Sequence, residues 1–461
     1  MQLSRDQLKM YRAAARKGNH AAAAQLLAHS VALGHGRLSI RRFMIARGLH
    51  APDIESFRPY CMQAAAEMPL AELLATARAA ADCLPNKEGT YTMAADLLPS
   101  LEPYILPFDG VVPRFASEHR LCARGSCVLG KVEIGTHPLL AANAVIRADG
   151  HYVRIGDAFF LGENATVHIA HDVYPTHIGH RVTVGRNAVV HACDVGDDCV
   201  IEDNAVILDG STVESGVVIE KGAVVFPRSK LDSGYLYAGI PAKPVRAITS
   251  EECEAYAARL RDEIAKSILV CEEANTAVRN LPSDVFVAQT ATLSGHIELA
   301  SGSSVFFGCR LEAGDYSIRV GRNVNIQDNS HIRCAAGDFD IGANSTIGHN
   351  VTLQDCRIGE RSLIGIGCTV KSGTVVDDDV LLAAGAITEP GQHLESGWVW
   401  AGVPARPLAK IDDAKREMMT SIIGHYSNYA EAFGQAQSRL KAQLQGASNG
   451  TTASSARRAS R

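Results

Sequence analysis

The run Ile178-Gly-His-Arg-Val-Thr-Val-Gly-Arg-Asn-Ala-Val189 decides the fold of this chain. An aliphatic residue opens each group of six, a small or acidic residue follows, and a small or aliphatic residue stands fifth. The same rule returns in Val195-Gly-Asp-Asp-Cys-Val200 and in Ile201-Glu-Asp-Asn-Ala-Val206. This period of six is the pattern of a parallel β-helix, in which each hexad forms one face of a coil.

Side chains of a strand alternate between two faces, so the opening residue of a hexad points into the β-helix and its neighbour points out. Glycine and asparagine tolerate the left-handed backbone angles that the corners of the coil require. Similar hexads fill a second block that includes Ile347-Gly-His-Asn-Val-Thr352. The sequence therefore predicts two β-helices in one chain.

The two blocks are copies of one passage. At an offset of 163 the equivalent pairs are Ile178 and Ile341, Arg186 and His349, His191 and Gln354, and Cys193 and Cys356. Slightly upstream the offset is 165, which pairs His168 with Arg333. The first copy thus has His, Arg and His at three positions where the second has Arg, His and Gln.

The sequence divides into six predicted segments. The first, residues 1–98, is rich in alanine and leucine at helical spacing and is expected to be an α-helical region with no chemistry of its own. The others are the first β-helix at 99–248, a connecting helix at 249–281, the second β-helix at 282–411, a C-terminal helix at 412–445 and a disordered tail at 446–461.

Each β-helix ends on a similar segment, Ala238-Gly-Ile-Pro-Ala-Lys-Pro244 or Ala401-Gly-Val-Pro-Ala-Arg-Pro407, and a helix follows. Thr249 and Glu252 form a capping box at the start of the first of these helices. Both helices have an apolar stripe, which includes Tyr426 in the second. We expect these stripes to pack against a β-helix face and not to bind a ligand.

Composition excludes several classes of protein. A formal charge of −5 in 461 residues gives no electrostatic basis for binding nucleic acid or an anionic membrane. No apolar run approaches the length of a membrane span, and the first residues lack an apolar signal core. The twelve cysteines include no C-x-x-C pair, which indicates buried reduced thiols and a cytoplasmic protein.

Both blocks resemble the γ-class carbonic anhydrase branch of the hexapeptide-repeat, or left-handed β-helix, transferase superfamily, over roughly residues 120–437. That family has an Arg-x-Asp element, then I-Q-D, an aliphatic-His pair, I-G-H and an aliphatic-His-x-C segment. The resemblance implies that three histidines bind zinc or a related divalent ion between two β-helices of a trimer. One β-helix gives the first and third histidine, and its neighbour gives the second.

Neither copy matches the whole motif. The first copy matches at Arg147, Asp149, His168 and His191 but has Arg186 at the second ligand position. Its I-Q-D element is replaced by Leu161-Gly-Glu163. Arginine cannot serve as an ordinary ligand because it stays protonated and has no lone pair to offer.

The second copy keeps the complementary part. It matches at Gln327, Asp328 and His349, while Arg333 and Gln354 stand at the outer ligand positions. Its Arg-x-Asp element is altered to Arg310-Leu-Glu312. Both charges are kept, but glutamate, which has a longer side chain, stands in place of aspartate.

These residues lead to the hypothesis of a composite metal site. His168 and His191 each follow the opening residue of a hexad, so they should point outward from adjacent rungs, about 4.8 Å apart. His349 stands third in its hexad, near a corner from which it can reach a neighbouring β-helix. A divalent ion bound by three histidines lowers the pKa of a bound water toward about 7. The hydroxide formed at neutral pH can attack carbon dioxide or another small electrophile. Arg147, Asp149, Gln327 and Asp328 would order the interface around the site.

Two other interpretations stay open. Many members of the superfamily transfer an acyl group from coenzyme A with a histidine as general base, and His171, His177 and His180 are candidates for that role. Alternatively, the copies lost the metal after duplication and form a catalytically silent scaffold. The sequence also leaves open how the copies meet, because a trimer of first copies stacked on a trimer of second copies would form no composite site.

The predicted protein is therefore mainly β, with two tandem left-handed parallel β-helices and helices before and after them. Its expected cofactor is a divalent metal, with zinc first and iron or cobalt as alternatives, or a coenzyme A thioester if it transfers acyl groups. The expected partners are a small-molecule substrate and further copies of the chain in a trimer-type packing, with no nucleic acid and no membrane.

Overall fold

The structure, a computed structural model, describes residues 2–84, 89–98, 102–117, 120–270 and 283–458. The N-terminal region is helical, as predicted, and its helices enclose a core of alanine, leucine and aromatic side chains. They are α1 Arg5–Arg16, α2 His20–Ala32, α3 Gly36–Gly48, α4 Arg58–Ala66, α5 Leu70–Ala81 and α6 Thr90–Ala95, with a 3-10 turn at Ile54–Phe57.

Short parallel strands follow and form the first β-helix. They are β1 Tyr104–Leu106, β2 Arg114–Phe115, β3 Leu121–Cys122, β4 Cys127–Ile134, β5 Leu139–Leu140, β6 Val145–Ile155, β7 Phe160–Leu161, β8 Thr166–His168, β9 Thr176–Ile178, β10 Thr183–Val184, β11 Val189–His191, β12 Asp194–Val195, β13 Val200–Ile201, β14 Val206–Ile207, β15 Thr212–Val213, β16 Val218–Ile219, β17 Val224–Val225, β18 Lys230–Leu231, β19 Tyr235–Ala238 and β20 Lys243–Ala247. Helix α7, Ser250–Val270, comes next.

The second β-helix repeats this arrangement. Its strands are β21 Phe286–Val287, β22 Thr292–Leu299, β23 Ser304–Val305, β24 Arg310–Val320, β25 Asn325–Ile326, β26 His331–Arg333, β27 Phe339–Ile341, β28 Thr346–Ile347, β29 Thr352–Gln354, β30 Arg357–Ile358, β31 Leu363–Ile364, β32 Thr369–Val370, β33 Val375–Val376, β34 Leu381–Leu382, β35 His393–Leu394, β36 Trp398–Ala401 and β37 Arg406–Lys410. Helix α8 spans Asp413–Arg458.

Each β-helix has three faces of stacked strands. In the first, the faces run β6-β8-β11-β14-β17, β6-β9-β12-β15-β18 and β3-β5-β7-β10-β13-β16-β19-β20. The opening residues of the hexads stack inside, where Val167, Val190 and Ile207 are fully buried. The corners adopt left-handed angles, with φ of 51° at Asn164 and at Asn187. The predicted fold of two left-handed parallel β-helices is confirmed.

The two β-helices pack side by side within the chain, so one face of the first is covered by the second. Val189, Val206 and Val224, outward residues of β11, β14 and β17, pack against Ile366 and Ala384. The alternative left open by the sequence, in which first copies meet only first copies and second copies only second copies, does not describe this chain.

Asparagines at two corners of the second β-helix also hold the interface. Asn350 Nδ2 donates to the carbonyl of Asn164 at 2.6 Å, and its Oδ1 accepts from the hydroxyl of Thr166 at 2.7 Å. Asn329 Nδ2 donates to Thr166 Oγ1 at 2.9 Å and to the carbonyl of Ala165 at 3.3 Å. These side chains fix the position of one β-helix on the other beside strand β8.

Helix α7 packs on its own β-helix as predicted. The capping box at its start is present, and Tyr256, Leu260 and Ile264 cover the face formed by β7, β10 and β13. Asp262 accepts hydrogen bonds from the amides of Tyr91 and Thr92, which joins the helical region to α7.

Helix α8 packs against β21, β23, β25 and β28 and also touches β1 of the first β-helix. Its helical backbone is described to Arg458. The disorder predicted for residues 446–461 stays a prediction, and residues 459–461 lie outside the described part of the chain. Among the residues that the structure describes, no helix has the length and apolarity to cross a membrane.

Candidate metal centre

Three histidines from the two β-helices meet at the intramolecular interface. His168 and His191 lie in register on the adjacent parallel strands β8 and β11, which confirms their predicted stacking. His349 follows β28 of the second β-helix. One nitrogen from each ring lies within 4.8 Å of the others, and all three residues are buried, with exposures of 3%, 9% and 1%.

Two of the rings face each other and are held from behind by acids. His168 Nδ1 lies 3.2 Å from His191 Nε2. The opposite nitrogens bind carboxylates: His168 Nε2 contacts Asp149 at 3.0 Å and His191 Nδ1 contacts Asp209 at 2.6 Å. A carboxylate on the far nitrogen fixes the ring orientation and tautomer, as is typical behind a metal-binding histidine.

The third ring is held differently. His349 Nε2 lies 3.1 Å from the hydroxyl of Tyr426 on α8, and its Nδ1 lies 3.2 Å from Asp328 Oδ2. The second contact lacks hydrogen-bond geometry, so Nδ1 is a buried polar atom without a hydrogen-bond partner. An unpartnered buried nitrogen is costly in a protein that holds nothing at that place.

This donor set fits a divalent transition-metal ion. Two nitrogens bound to a tetrahedral ion at 2.0–2.1 Å are separated by about 3.3 Å, close to the distance between the facing atoms of His168 and His191. Three imidazoles, two of them with carboxylates behind them, suit zinc, iron or cobalt better than magnesium or calcium, which prefer oxygen ligands.

Burial keeps the rings of His168 and His349 neutral, which is the form that binds a metal. Burial, and next the charge of Arg147, holds the pKa of His168 well below its ordinary value. Burial likewise lowers the pKa of His349 to about 4, although Asp328 acts in the opposite direction. Burial favours protonation of Asp209, but His191 outweighs it and keeps the pKa of this carboxyl low.

Arg147 lies fully buried beneath the histidines and connects three parts of the chain. Its Nε donates to Asp328 Oδ2 at 2.8 Å, its Nη1 to Asp149, and its Nη2 to the hydroxyl of Tyr426 at 3.0 Å. Both carboxylates are buried as well. The guanidinium therefore neutralises two acids, one from each β-helix, and holds α8 against them.

The structure places the remaining predicted residue, Gln327, on the wall of the adjoining pocket, where its amide donates to Asn325 at 3.1 Å. The three residues that stand where the motif has histidine, Arg186, Arg333 and Gln354, lie away from the three histidines. Arg186 is 3.7 Å from Glu163 and from Glu263 of α7, whereas Arg333 and Gln354 are exposed on the second β-helix.

Two residues of the centre were missed from the sequence. Tyr426 was assigned only a packing role because it belongs to the apolar stripe of α8. Asp209 stands on the rung that follows His191, and an acid one rung beyond an outward histidine is the signal that could have identified it.

A cavity of about 460 Å³ is lined by His168, His191 and Asp209 of the first β-helix. Its other lining residues are mostly apolar, including Leu208, Ile366, Leu381, Met418 and Ile422. A pocket of this size and character is typical of a site for a small organic molecule.

One of the three histidines considered for acyl transfer lies at this pocket. His171 stacks on His425 with ring centroids 4.0 Å apart and contacts the Tyr429 hydroxyl. His177 and His180 instead pair with Asp194 at 2.7 Å and Asp157 at 3.3 Å on exposed parts of the first β-helix.

Comparison with known proteins found a matching family model and similar solved structures. The family model described as the hexapeptide repeat of succinyl-transferase matches residues 175–209 and 356–387. A solved structure of a hexapeptide transferase family protein from Anaplasma phagocytophilum is 29% identical; it covers 33% of this chain and 90% of that one, with a TM-score of 0.32.

Two curated relatives are closer in sequence. Protein YrdA of Escherichia coli strain K12 is 41% identical over 137 residues, which are 28% of this chain and 72% of the relative. The mitochondrial gamma carbonic anhydrase 1 of Arabidopsis thaliana is 36% identical over 156 residues, or 32% of this chain. The chain spans 57–62% of the length of this and two further mitochondrial gamma carbonic anhydrases of that plant.

Proposed function

The chain belongs to the hexapeptide-repeat family, in the branch of the γ-class carbonic anhydrases, and from this premise we propose that it is a metalloenzyme acting on carbon dioxide or another small electrophile. The observation that carries the proposal is the meeting of His168, His191 and His349 at one buried point. Each copy alone supplies an incomplete set, whereas the folded chain assembles one complete set.

The acids and Arg147 position the histidines. Asp149 and Asp209 bind the outer nitrogens of His168 and His191, so the remaining nitrogens point at a common centre. Arg147 holds Asp149 and Asp328 in place, so we assign it a positioning role. Gln327 contributes to the pocket wall.

Bound there, zinc, or alternatively iron or cobalt, would make water a nucleophile at neutral pH. The aliphatic walls of the pocket limit the water around the histidines, which strengthens electrostatic interactions with a substrate. Arg147 can only donate, so the Tyr426 oxygen accepts from it. With an ion on His349 Nδ1, His349 Nε2 would carry the proton and donate to the same oxygen, which leaves the proton of Tyr426 for a substrate oxygen.

Metal analysis of the purified protein is the decisive test. We expect close to one zinc, iron or cobalt ion per chain, and we expect His349→Ala to lower that content as much as His168→Ala. Gln354→Ala, at the equivalent of His191 in the second β-helix, is the matched control and should leave the content unchanged. Absence of bound metal in the unaltered protein contradicts the proposal, and an effect of the first-copy variants alone contradicts the composite site.

Access to the pocket can be tested with two serines of α8. Ser421 lines the pocket and Ser427 does not; both are exposed, and each hydroxyl bonds a carbonyl of its own helix. We expect Ser421→Trp to slow carbon dioxide hydration or ester hydrolysis without changing metal content, while Ser427→Trp alters neither. Equal rates in both variants would show that substrate does not enter through this pocket.

Acyl transfer from coenzyme A is the second candidate, because His171 lies at the same pocket, bonded to Tyr429. A thermal shift with acetyl-coenzyme A, absent in His171→Ala and independent of metal, would favour it. If neither metal nor coenzyme A binds, the silent scaffold is the remaining interpretation.

We also propose that the protein is cytoplasmic and that chains associate through β-helix faces left free by the internal interface. On the second β-helix, the face that includes β26 and β29 carries exposed Arg333 and Gln354. Light scattering should give a mass above that of one 49.1 kDa chain, and a monomeric mass would contradict the association. Cell fractionation tests the location.

A further inference from the structure

A second cavity lies in the N-terminal helical region, away from the histidines. It has a volume of about 310 Å³ and is walled by residues of α1, α2 and α3 and by Cys83. Four arginines line it, two from α1 and two from α3: Arg12, Arg16, Arg41 and Arg42. The other lining residues are apolar or small, and none of them is acidic.

Arg42 is buried there without a carboxylate. Only 7% of the residue is exposed, and its Nη1 donates to the carbonyl of Leu26 at 2.7 Å and the hydroxyl of Ser30 at 2.5 Å. Burial, and next the charge of Arg12, lowers the pKa of Arg42 to about 10. The pKa of His29 is lowered by burial and then by Arg42, which indicates a local excess of positive charge.

Arg41 is also incompletely satisfied. Its Nη2 donates to the carbonyl of Ala79 at 3.1 Å and contacts Cys83 Sγ at 3.5 Å. Its Nε is buried and has no hydrogen-bond partner. A guanidinium carries five N–H donors in a planar fork, and these bonds of Arg41 engage only its Nη2.

Three other arginines of the same region are neutralised by acids. Arg37 pairs with Glu72 at 3.0 Å, Arg47 with Asp96, and Arg58 with Glu55 at 2.5 Å. Across the described part of the region, which omits 85–88, no ion pair joins any of the four pocket arginines to an acid. Because uncompensated buried charge is destabilising, the arrangement is easier to explain if an anion from solution completes it.

We infer that this cavity binds a small polyvalent oxyanion attached to an apolar group. Guanidinium groups recognise phosphate and carboxylate oxygens in the same bidentate manner, so these chemistries are two sources of one kind of ligand. Leu26, Leu38 and Ile45 would contact the apolar group. The cavity shares no residue with the histidine centre, so the inference does not depend on the proposed function.

Calorimetric titration of the full chain tests the inference with three probes: pyrophosphate, adenosine diphosphate and citrate. We expect at least one to bind with a Kd well below 1 mM and to weaken as salt is raised. Preference for the phosphates identifies a phosphate ligand, and preference for citrate a carboxylate ligand. Tighter binding of adenosine diphosphate than of pyrophosphate supports the apolar part.

Three variants test the residues. Arg41→Gln, Arg42→Met and the double change Arg12→Gln with Arg16→Gln should each weaken binding by about tenfold or more. Arg12 and Arg16 are exposed, so the double variant keeps the test valid if Arg42→Met does not fold. Arg37→Gln on the same helix α3 is the control and should bind normally. Failure of all three probes to bind, or equal binding by the double variant, overturns the inference.

Discussion

The histidine face of the first β-helix and the equivalent face of the second have the same backbone and opposite surroundings. Strands β8 and β11 pair His168 with His191, and strands β26 and β29 pair Arg333 with Gln354 in the same register. The first pair is buried against the other β-helix, whereas the second pair is exposed. The comparison teaches that the hexad directs a side chain outward, and the neighbour that covers the face determines what that side chain can do.

The Arg-x-Asp element of the first β-helix and its equivalent in the second differ in the same way. Arg147 and Asp149 are buried and bonded across the interface, while Arg310 and Glu312 are partly exposed, and Glu312 contacts His331 at 3.1 Å. Substitutions made in pairs, one on each β-helix, can therefore separate the contribution of the interface from that of the repeat.

The largest difference is expected for the two arginines. Arg147→Met leaves Asp149 and Asp328 buried without their cation, so the free energy of unfolding should fall by about 3–5 kcal/mol. Arg310→Met, at the equivalent but partly exposed position, should cost less than about 1 kcal/mol. Urea denaturation measures both, and equal losses would mean that the buried network does not stabilise the interface.

Acidification should destabilise the metal-free protein through His349. The pKa of about 4 in the folded state lies below the ordinary 6.5, so the unfolded chain takes up the proton first. Stability from this residue is therefore present above pH 6.5 and is lost as pH falls toward 4, by about 3 kcal/mol. Denaturation at pH 7 and pH 4.5 should show a smaller loss in His349→Gln. The control, His331→Gln on the second β-helix, should behave like the unaltered chain.

The aspartates behind histidines give a third pair. Asp209→Asn should weaken zinc binding by about 10–100-fold, because its carboxylate orients His191. Asp194→Asn removes a similar acid beside His177 on an exposed face of the same β-helix and should leave zinc affinity unchanged. Competition with a chelator measures both affinities; a loss in the Asp194 variant would contradict the assignment.

The smallest difference is expected for two equivalent glycines, both with a φ near +70°. A Cβ at Gly385 would lie 2.4 Å from Val224 Cγ2 of the other β-helix, while one at Gly222 would meet nothing within 4 Å. Alanine strains the backbone at both positions, but Gly385→Ala should cost about 1–3 kcal/mol more because it overpacks the interface. Thermal denaturation provides the comparison, and equal costs would place the interface elsewhere.

The fold followed from the sequence because its signal is local. Each hexad states which residue is inside and where the corner lies, so the stacking of His168 on His191 could be predicted without any knowledge of the assembly. The hydrogen bonds that Asn329 and Asn350 form across the interface could not be predicted. Both have left-handed angles, with φ of 58° and 55°, so the sequence assigns them to corners and gives no sign that their amides cross to the other β-helix.

The centre could be predicted only in part for the same reason. The motif identifies His349, but its distance from the other histidines depends on which faces of the two β-helices meet. Sequence periodicity does not indicate which faces pack together. Tyr426 shows a second limit, because a tyrosine in an apolar helical stripe packs its ring and bonds its hydroxyl at once. Only the position of α8 reveals that its hydroxyl lies at His349.

The covalent link between the two β-helices has a consequence for how the centre depends on concentration. A site shared by separate subunits dissolves when the protein is diluted below the dissociation constant of its assembly. Here both contributing surfaces belong to one chain, so their encounter is a first-order event with a fixed effective concentration. At a fixed concentration of free zinc, occupancy should then be the same at nanomolar and micromolar protein, and independent of whether chains associate further.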